Sequence, residues 1–292
     1  MSKNPGDVFA KNLYPDISDE LRKCSLRLPE SLAENYEVLS CLKYSEQTAT
    51  YLLRQKSVNR TVLLKTASDP IFATALDNER NILDMIHRQG TSDCAAFPIS
   101  LELYELKGTH YFIRSYIQGR TLEELCESNY KKPGLPEGQA LLYILQLTKQ
   151  LHFLHTLDPP VIHRDIKPQN VVVDTNDICH FIDLGISRFS KSREEKNSPI
   201  MGTQFTAPPE QFFNQPADVR GDLYSLGVLL HYCITGEYSI SEASLKELSP
   251  ALRKVVSTST KFHPNQRYQT ADELLKNLTA VHHTNKISVA KQ

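Results

Sequence analysis

The chain has 292 residues, enough for one large domain or two small lobes. Hydrophobic residues make up 40% and charged residues 23%, and 33 basic against 34 acidic side chains leave a formal net charge of -1. A balance so near zero gives no bulk attraction to nucleic acid or to an anionic membrane, and neither is expected as a partner.

Six cysteines, at 24, 41, 94, 126, 179 and 233, form no C-x-x-C pair. In a chain of this length that argues for reduced thiols and a cytoplasmic setting rather than a disulfide framework. The opening "MSKNPGDVFAKNLYPD" holds no apolar core of signal-peptide length. Apolar runs such as "ALLYILQLTKQLHFL" are interrupted before the roughly 20 residues that span a bilayer.

In chain order, residues 1–35 are polar, carry Pro5, Pro15 and Pro29, and read as an extension outside the main core, with a short helix over about 18–26. From Tyr36, "YEVLSCL", "TATYLLRQ" and "TVLLKTA" are short β-rich runs separated by polar turns. "ATALDNERNILDMIHRQ" then places Leu76, Ile82, Leu83 and Ile86 at helical spacing. "ISLELYEL" and "HYFIRSYI" follow as two further strands around a Lys107-Gly108 turn.

After Gly119 the pattern turns helical. "TLEELCESN" opens with Thr121 and has Glu124 three residues later, a capping-box pair. In "PEGQALLYILQLTKQLHFLHTL" the apolar residues 141, 144, 147, 151 and 154 form one face of a long helix. "GDLYSLGVLLHYCIT" is apolar nearly all round and predicts a buried helix; two closing helices are expected over about 248–260 and 270–281. The organisation expected is an extension (1–35), a first lobe (36–118), a second lobe (119–283) and a polar tail (284–292), with no internal repeat or low-complexity tract.

The chemistry is concentrated in "VIHRDIKPQNVVVD", residues 161–174. Phosphoryl transfer needs metal ions on the phosphates, a cation beside them, and a carboxylate to orient the acceptor hydroxyl. This run supplies a carboxylate at Asp165, a cation at Lys167 and an amide oxygen at Asn170. "IDLG" adds a second carboxylate at Asp183, with Gly185 two positions on, so that the backbone can turn sharply. Upstream, "VLLK" ends a strand at Lys65, and a helix carries Glu79. Glu79 is preferred over Asp77 and Asp84 because Ile82 and Leu83 stand three and four residues on, along the same face.

Taken together, "VLLK", Glu79, "HRDIKPQN", "IDLG" and "APPE" resemble the motif set of the eukaryotic-type serine/threonine protein kinases, over residues 36–282. The resemblance implies an α+β, bilobal protein kinase-like fold: a five-stranded N-lobe with one helix and a mostly helical C-lobe. It implies that Asp165 orients the substrate hydroxyl, that Asn170 and Asp183 bind Mg²⁺ (Mn²⁺ being the alternative), and that Lys65, paired to Glu79, holds the α- and β-phosphates of ATP.

Lys167 and Thr203 match the Ser/Thr-specific version, in which the lysine contacts the γ-phosphate and the threonine braces the catalytic carboxylate. Glu210 and Arg267 match a buried architectural pair, and Asp222 the aspartate that braces the catalytic loop from below. Leu83, His163 and Leu184 fall where the family stacks its hydrophobic spine. Arg164 matches the residue that can grip an activation-loop phosphate, for which Ser190, Ser192 and Ser198 are candidates. The compact layout resembles small bacterial members of the family. Oligomeric state is left open.

The sequence also departs from the pattern. In the glycine-rich loop Lys43, Ser45 and Thr48 stand at the three glycine positions and Thr50 at the valine. Side chains there restrict backbone approach to phosphates, although backbone N–H groups remain available in this expectation. Leu63 replaces the small alanine beside Lys65, and Arg114 falls at the gatekeeper position, where it is expected to meet an acid such as Glu79. Ser115 and Ile117 match the adenine-binding hinge, and Val172 its floor. The stretch between "ITGE" and "HPNQR" is short, so the usual substrate-docking helix is reduced or absent. Three readings result: a kinase transferring the ATP γ-phosphoryl to Ser/Thr of a protein substrate, a pseudokinase or nucleotide-binding scaffold with little or no phosphotransfer, and a small-molecule kinase on the same fold.

Overall fold

A computed structural model describes residues 28–128, 133–189, 205–213 and 216–289. They belong to two compact units, one formed by the chain up to Asp77 together with Ser100–Tyr116, the other by Asn78–Ile99 and everything from Ile117 onward.

The first unit is built on an antiparallel sheet of five strands: β1 (Tyr36–Tyr44), β2 (Thr48–Gln55), β3 (Arg60–Ala67), β4 (Ser100–Leu106) and β5 (Thr109–Ser115), in the order β1-β2-β3-β5-β4. Strand alternation sorts β2 cleanly: Ala49, Tyr51 and Leu53 are buried on one face. They pack with Val62, Leu64 and Ile113. Thr50, Leu63, Lys65 and Arg114 share the opposite face, because Thr50 pairs with Lys65 and Leu63 with Arg114 across the strands. The β4–β5 hairpin turns through Lys107 (φ 51°) and Gly108 (φ 75°), two left-handed residues whose twist matches the flanking strands.

The extension expected to end at residue 35 reaches into this core. A one-turn helix, α1 (Glu30–Ala33), brings Leu32 into the cluster with Tyr36, Tyr51 and Leu64 at 1% exposure. Lys56 fastens it, donating from Nζ to the Ala33 carbonyl (2.6 Å) and from its backbone N–H to that of Asn35 (2.9 Å). Leu28, Leu32 and Tyr36 recur every four residues, but so short a run among polar residues does not stand out in the sequence. The helix expected at 18–26 lies outside the described residues.

Helix α2 (Pro70–Arg88) starts in the first unit, and its last eleven residues belong to the second. Residues 78–99 are tied into the second unit: the Asn78 amide bonds to the segment after Asp183, the His180 ring to the Ala96 carbonyl (3.1 Å), and the Phe97 ring lies 5.9 Å from that of Phe153. Leu76, Ile82, Leu83 and Ile86 are all buried, as their spacing predicts.

The second unit surrounds two helices, α4 (Glu137–Thr156) and α6 (Val219–Thr235). On α4, residues 141, 144, 147, 151 and 154 are all buried, and on α6 every residue from Gly221 to Ile234 is except the half-buried Tyr224. A Cβ at Gly227 would lie 2.4 Å from Ser259 Cβ, so glycine is what lets α8 (Pro250–Ser259) approach α6 closely. Short helices α3 (Leu122–Glu127), α5 (Pro209–Phe212) and α7 (Glu242–Glu247) and the closing α9 (Ala271–Val289) complete the set. Thr121 and Glu124 form the capping box read from the sequence. The closing helix runs on to Val289, past the boundary expected at 283. The second unit also holds a three-stranded sheet of β6 (Gly119–Thr121), β8 (Val171–Asp174) and β9 (Cys179–Phe181), and a two-stranded pair of β7 (Val161–Ile162) and β10 (Arg188–Phe189). Among the described residues no helix is long and apolar enough to cross a membrane.

The core position of Leu32 is open to test. Leu32→Ala should cost about 2–5 kcal/mol of stability, read as a lower midpoint in urea unfolding. An unchanged midpoint would return residues 28–35 to the surface.

Candidate active site

The loop 163–170 joins β7 to β8, and a carboxylate from α6 shapes it. Asp222 is 1% exposed and accepts from the backbone N–H groups of His163 and Arg164, at 2.8 Å each. His155 Nε2 on α4 donates to the same carboxylate at 2.9 Å. Arg164 has φ of 68°, a left-handed conformation that costs a non-glycine residue on the order of 1–2 kcal/mol. The two charge-assisted bonds to Asp222 offset that cost.

The next residue, Asp165, gathers the loop's polar groups. Its Oδ2 accepts from Lys167 Nζ at 2.7 Å and from Asn170 Nδ2 at 2.8 Å, while Asn170 Nδ2 also donates to the Asp165 carbonyl at 3.0 Å. The Asp165 N–H donates to His163 Nδ1 at 3.3 Å, which requires a neutral ring acceptor there. Burial lowers the His163 pKa and so favours that neutral form.

Asp183, thirteen residues after Asn170 in the chain, is brought near by the β8–β9 hairpin. Val171 pairs with Phe181, and the Ile182 N–H donates to the Asn170 carbonyl at 3.0 Å. Asp183 Oδ1 accepts from the Gly185 N–H at 3.1 Å. Leu184 and Val172 are buried beside them. Gln169 turns away from this group and donates to Glu123 on α3. Burial, reinforced by Glu127, raises the Glu123 carboxyl above its usual range.

Glu210 and Arg267 form a bidentate pair with contacts of 2.6 and 2.8 Å. The remaining Arg267 donors are also used: Nε meets the Lys261 carbonyl (2.7 Å), and the two terminal nitrogens also reach the carbonyls of Arg220 and Phe262. The guanidinium lies 4.8 Å from the centre of the Tyr224 ring. Arg164, one residue before Asp165, is half-buried. Thr203, Ser190, Ser192 and Ser198 lie outside the described residues.

In the first unit, Lys65 is half-buried on the sheet face it shares with Thr50 and Leu63. Arg114 is 3% exposed and donates from Nη1 to the Ser115 carbonyl at 3.2 Å. Ser115 and Ile117 are half-buried at the end of β5 and just beyond it, and Lys43 is exposed on β1.

The turn between β1 and β2 corrects one expectation. Three of its N–H groups do not stay available: the Ser45 N–H donates to the Thr48 carbonyl (2.8 Å), and those of Gln47 and Thr48 donate to Ser45 Oγ (3.4 and 3.0 Å). The Ser45 and Thr48 hydroxyls also bond to each other at 3.0 Å. Side chains at the glycine positions close the turn on itself, a competition short hydroxyl residues offer any nearby backbone.

Two residues near this chemistry carry no sequence signal of their own. His155 looks like an ordinary core or surface histidine until its partner Asp222, 67 positions away, is seen beside it. Asn78 is hidden by its neighbour, the buried Glu79.

Known proteins resemble this chain over most of its length. A family model described as a protein kinase domain matches residues 48–292, leaving β1 and the turn residues 45–47 outside the match. A probable serine/threonine-protein kinase of Clostridium perfringens is 25% identical over 286 residues, covering 89% of this chain and 40% of that protein. Another, from Clostridium acetobutylicum, is 30% identical over 192 residues, covering 59% of this chain and 28% of that protein. The serine/threonine-protein kinase PknB of Mycobacterium leprae is 26% identical over 290 residues, 87% of this chain and 44% of its own length. The chain thus spans less than half the length of these curated relatives.

The buried ion pair gives a stability test. Arg267→Met leaves Glu210 without its partner and should cost about 3–5 kcal/mol in denaturant unfolding. Replacing both, as Arg267→Met with Glu210→Leu, should recover much of that loss; equal losses in the single and double variants would deny the pairing its weight.

Proposed function

The chain belongs to the protein kinase family, and on that premise we propose that it transfers the γ-phosphoryl group of ATP to Ser or Thr hydroxyls of protein substrates. The observation that carries this reading is the convergence of Lys167 Nζ and Asn170 Nδ2 on one oxygen of Asp165, in a loop tied through Ile182 to Asp183. Acid-base, metal-binding and cationic groups are the parts in-line phosphoryl transfer requires.

Asp165 is the group that receives and orients the acceptor hydroxyl. Its Oδ2 already has two donors, which fix the carboxylate's direction before any substrate arrives. Lys167 compensates the charge beside it and is the candidate for the γ-phosphate; it is also the described residue that favours Ser/Thr over Tyr acceptors. Lys65 is the candidate for the α- and β-phosphates. Leu63 and Ser115 in the first unit, and Ile117 and Val172 in the second, are each proposed as candidates for contact with the adenine.

A divalent cation fits the oxygen set. The Asn170 amide nitrogen is committed to Asp165, so its carbonyl oxygen is the atom that faces ligand chemistry. With the Asp183 carboxylate it would hold a hard cation such as Mg²⁺, or Mn²⁺, which supplies charge neutralisation on the phosphates.

The closed turn at 45–48 favours a looser grip on nucleotide than a glycine loop gives, and it keeps the scaffold reading in view. The decisive measurement is intact-mass spectrometry and a labelled-peptide assay of the purified chain with MgATP, beside Asp165→Asn and Asp183→Asn. Each variant should lose about a hundredfold or more in transfer while unfolding at nearly the native temperature. Retained transfer in Asp183→Asn would remove the metal assignment. No transfer by the native chain, with MgATP still bound, would favour the scaffold.

A further inference from the structure

Beside the buried Glu79 on α2, the half-buried Asn78 turns its amide to the segment that follows Asp183. Asn78 Nδ2 lies 2.9 Å from the Ser187 carbonyl oxygen, 3.0 Å from that of Gly185 and 3.3 Å from that of Leu184. An amide nitrogen carries two hydrogens, so at least one is shared between acceptors. Three carbonyl oxygens around one point repel each other unless a donor sits among them, and Asn78 is that donor.

The same turn is held from its other side. Ser187 Oγ donates to the His163 carbonyl at 3.0 Å, the Ser187 N–H to the Leu184 carbonyl at 3.1 Å, and β10 then pairs with β7. Asp183 is part of this turn through its bond from the Gly185 N–H. One amide on α2 therefore restrains the residues whose backbone sets where the Asp183 carboxylate points.

We propose that Asn78 is a positioning residue: by gathering the carbonyls of residues 184, 185 and 187 it fixes the turn that presents the Asp183 carboxylate to its divalent cation. This rests on the reading of Asp183 as a metal ligand given above. The residue acts through the turn and touches neither nucleotide nor substrate in this role.

The test uses Asn78→Leu, close in volume but unable to donate, and Asn78→Asp, close in shape but acceptor-only and repelled by the carbonyls. Hydrogen–deuterium exchange of the nucleotide-free chain should show the 183–189 peptide exchanging about tenfold faster in both variants, the effect of losing one or two net hydrogen bonds, while α6 is unchanged. The MgCl₂ concentration for half-maximal transfer should rise by about the same factor, with the KM for the peptide substrate unmoved. Unchanged exchange at 183–189, or equal acceleration there and in α6, would overturn the proposal. So would faster exchange at 183–189 with an unaltered metal requirement. If the native chain transfers no phosphate, the kinase reading fails separately, and calorimetric titration of MnCl₂ into the ATP-loaded variants reads the metal arm in its place.

Discussion

The active loop of the second unit depends on the carboxylate of Asp222. A charge buried to 1% exposure is tolerated only when its oxygens are filled, and here two backbone N–H groups and His155 fill them. The dependence runs both ways. Without Asp222 the His163 and Arg164 N–H groups would be buried donors lacking an acceptor, and Arg164 would have little reason to stay left-handed. The direction of Asp165 follows from that backbone, and the positions of Lys167 and Asn170 follow from Asp165. The carboxylate is itself held in place by α6, whose residues from Gly221 to Ile234 are buried apart from Tyr224.

The first turn of α6 does more than brace the loop. The Arg220 carbonyl accepts from Arg267, and a Cβ on Gly221 would press within 3.2 Å of Pro208 and 3.6 Å of Glu210. Three consecutive residues thus touch the Glu210–Arg267 pair, the segment leading into α5, and the loop that carries Asp165. A charged pair as buried as Glu210–Arg267 adds little net stability over an apolar replacement, but it permits one geometry, and a misplaced α5 would leave charges unpaired. Geometry rather than stability is what the pair contributes, next to the residues that brace the loop carrying Asp165.

Much of this was legible in the sequence because periodicity reports burial directly. The faces of α2 and α4 and the nearly all-round burial of α6 follow from residue spacing, and the capping box at Thr121 from a two-residue pattern. The loop around Asp165 was legible for another reason: its polar residues are too dense to be explained by packing. What stayed hidden depends on partners distant in sequence. Leu32 enters a core made by strands that follow it, and His155 gains its role from a residue on another helix. Asn78 bonds to three carbonyls, groups that every residue possesses and no sequence distinguishes. Residues 78–99 join the second unit partly for the same reason, through the Asn78 amide and the Ala96 carbonyl, and partly through the Phe97–Phe153 ring contact.

The turn at 45–48 shows how a local substitution changes what a backbone can offer. Glycines leave N–H groups without side-chain competitors, so a polyanion can collect several of them at once. With serine and threonine in those positions, the N–H groups of Ser45, Gln47 and Thr48 are satisfied within the turn before any ligand arrives. A phosphate would have to exchange formed bonds for new ones, so its gain per N–H falls to the difference between two hydrogen bonds, well under the net ~1 kcal/mol of one. For the nucleotide proposed above, affinity in this unit would therefore rest on charged side chains more than on the turn, and Lys65, on the face it shares with Thr50 and Leu63, is the candidate cation.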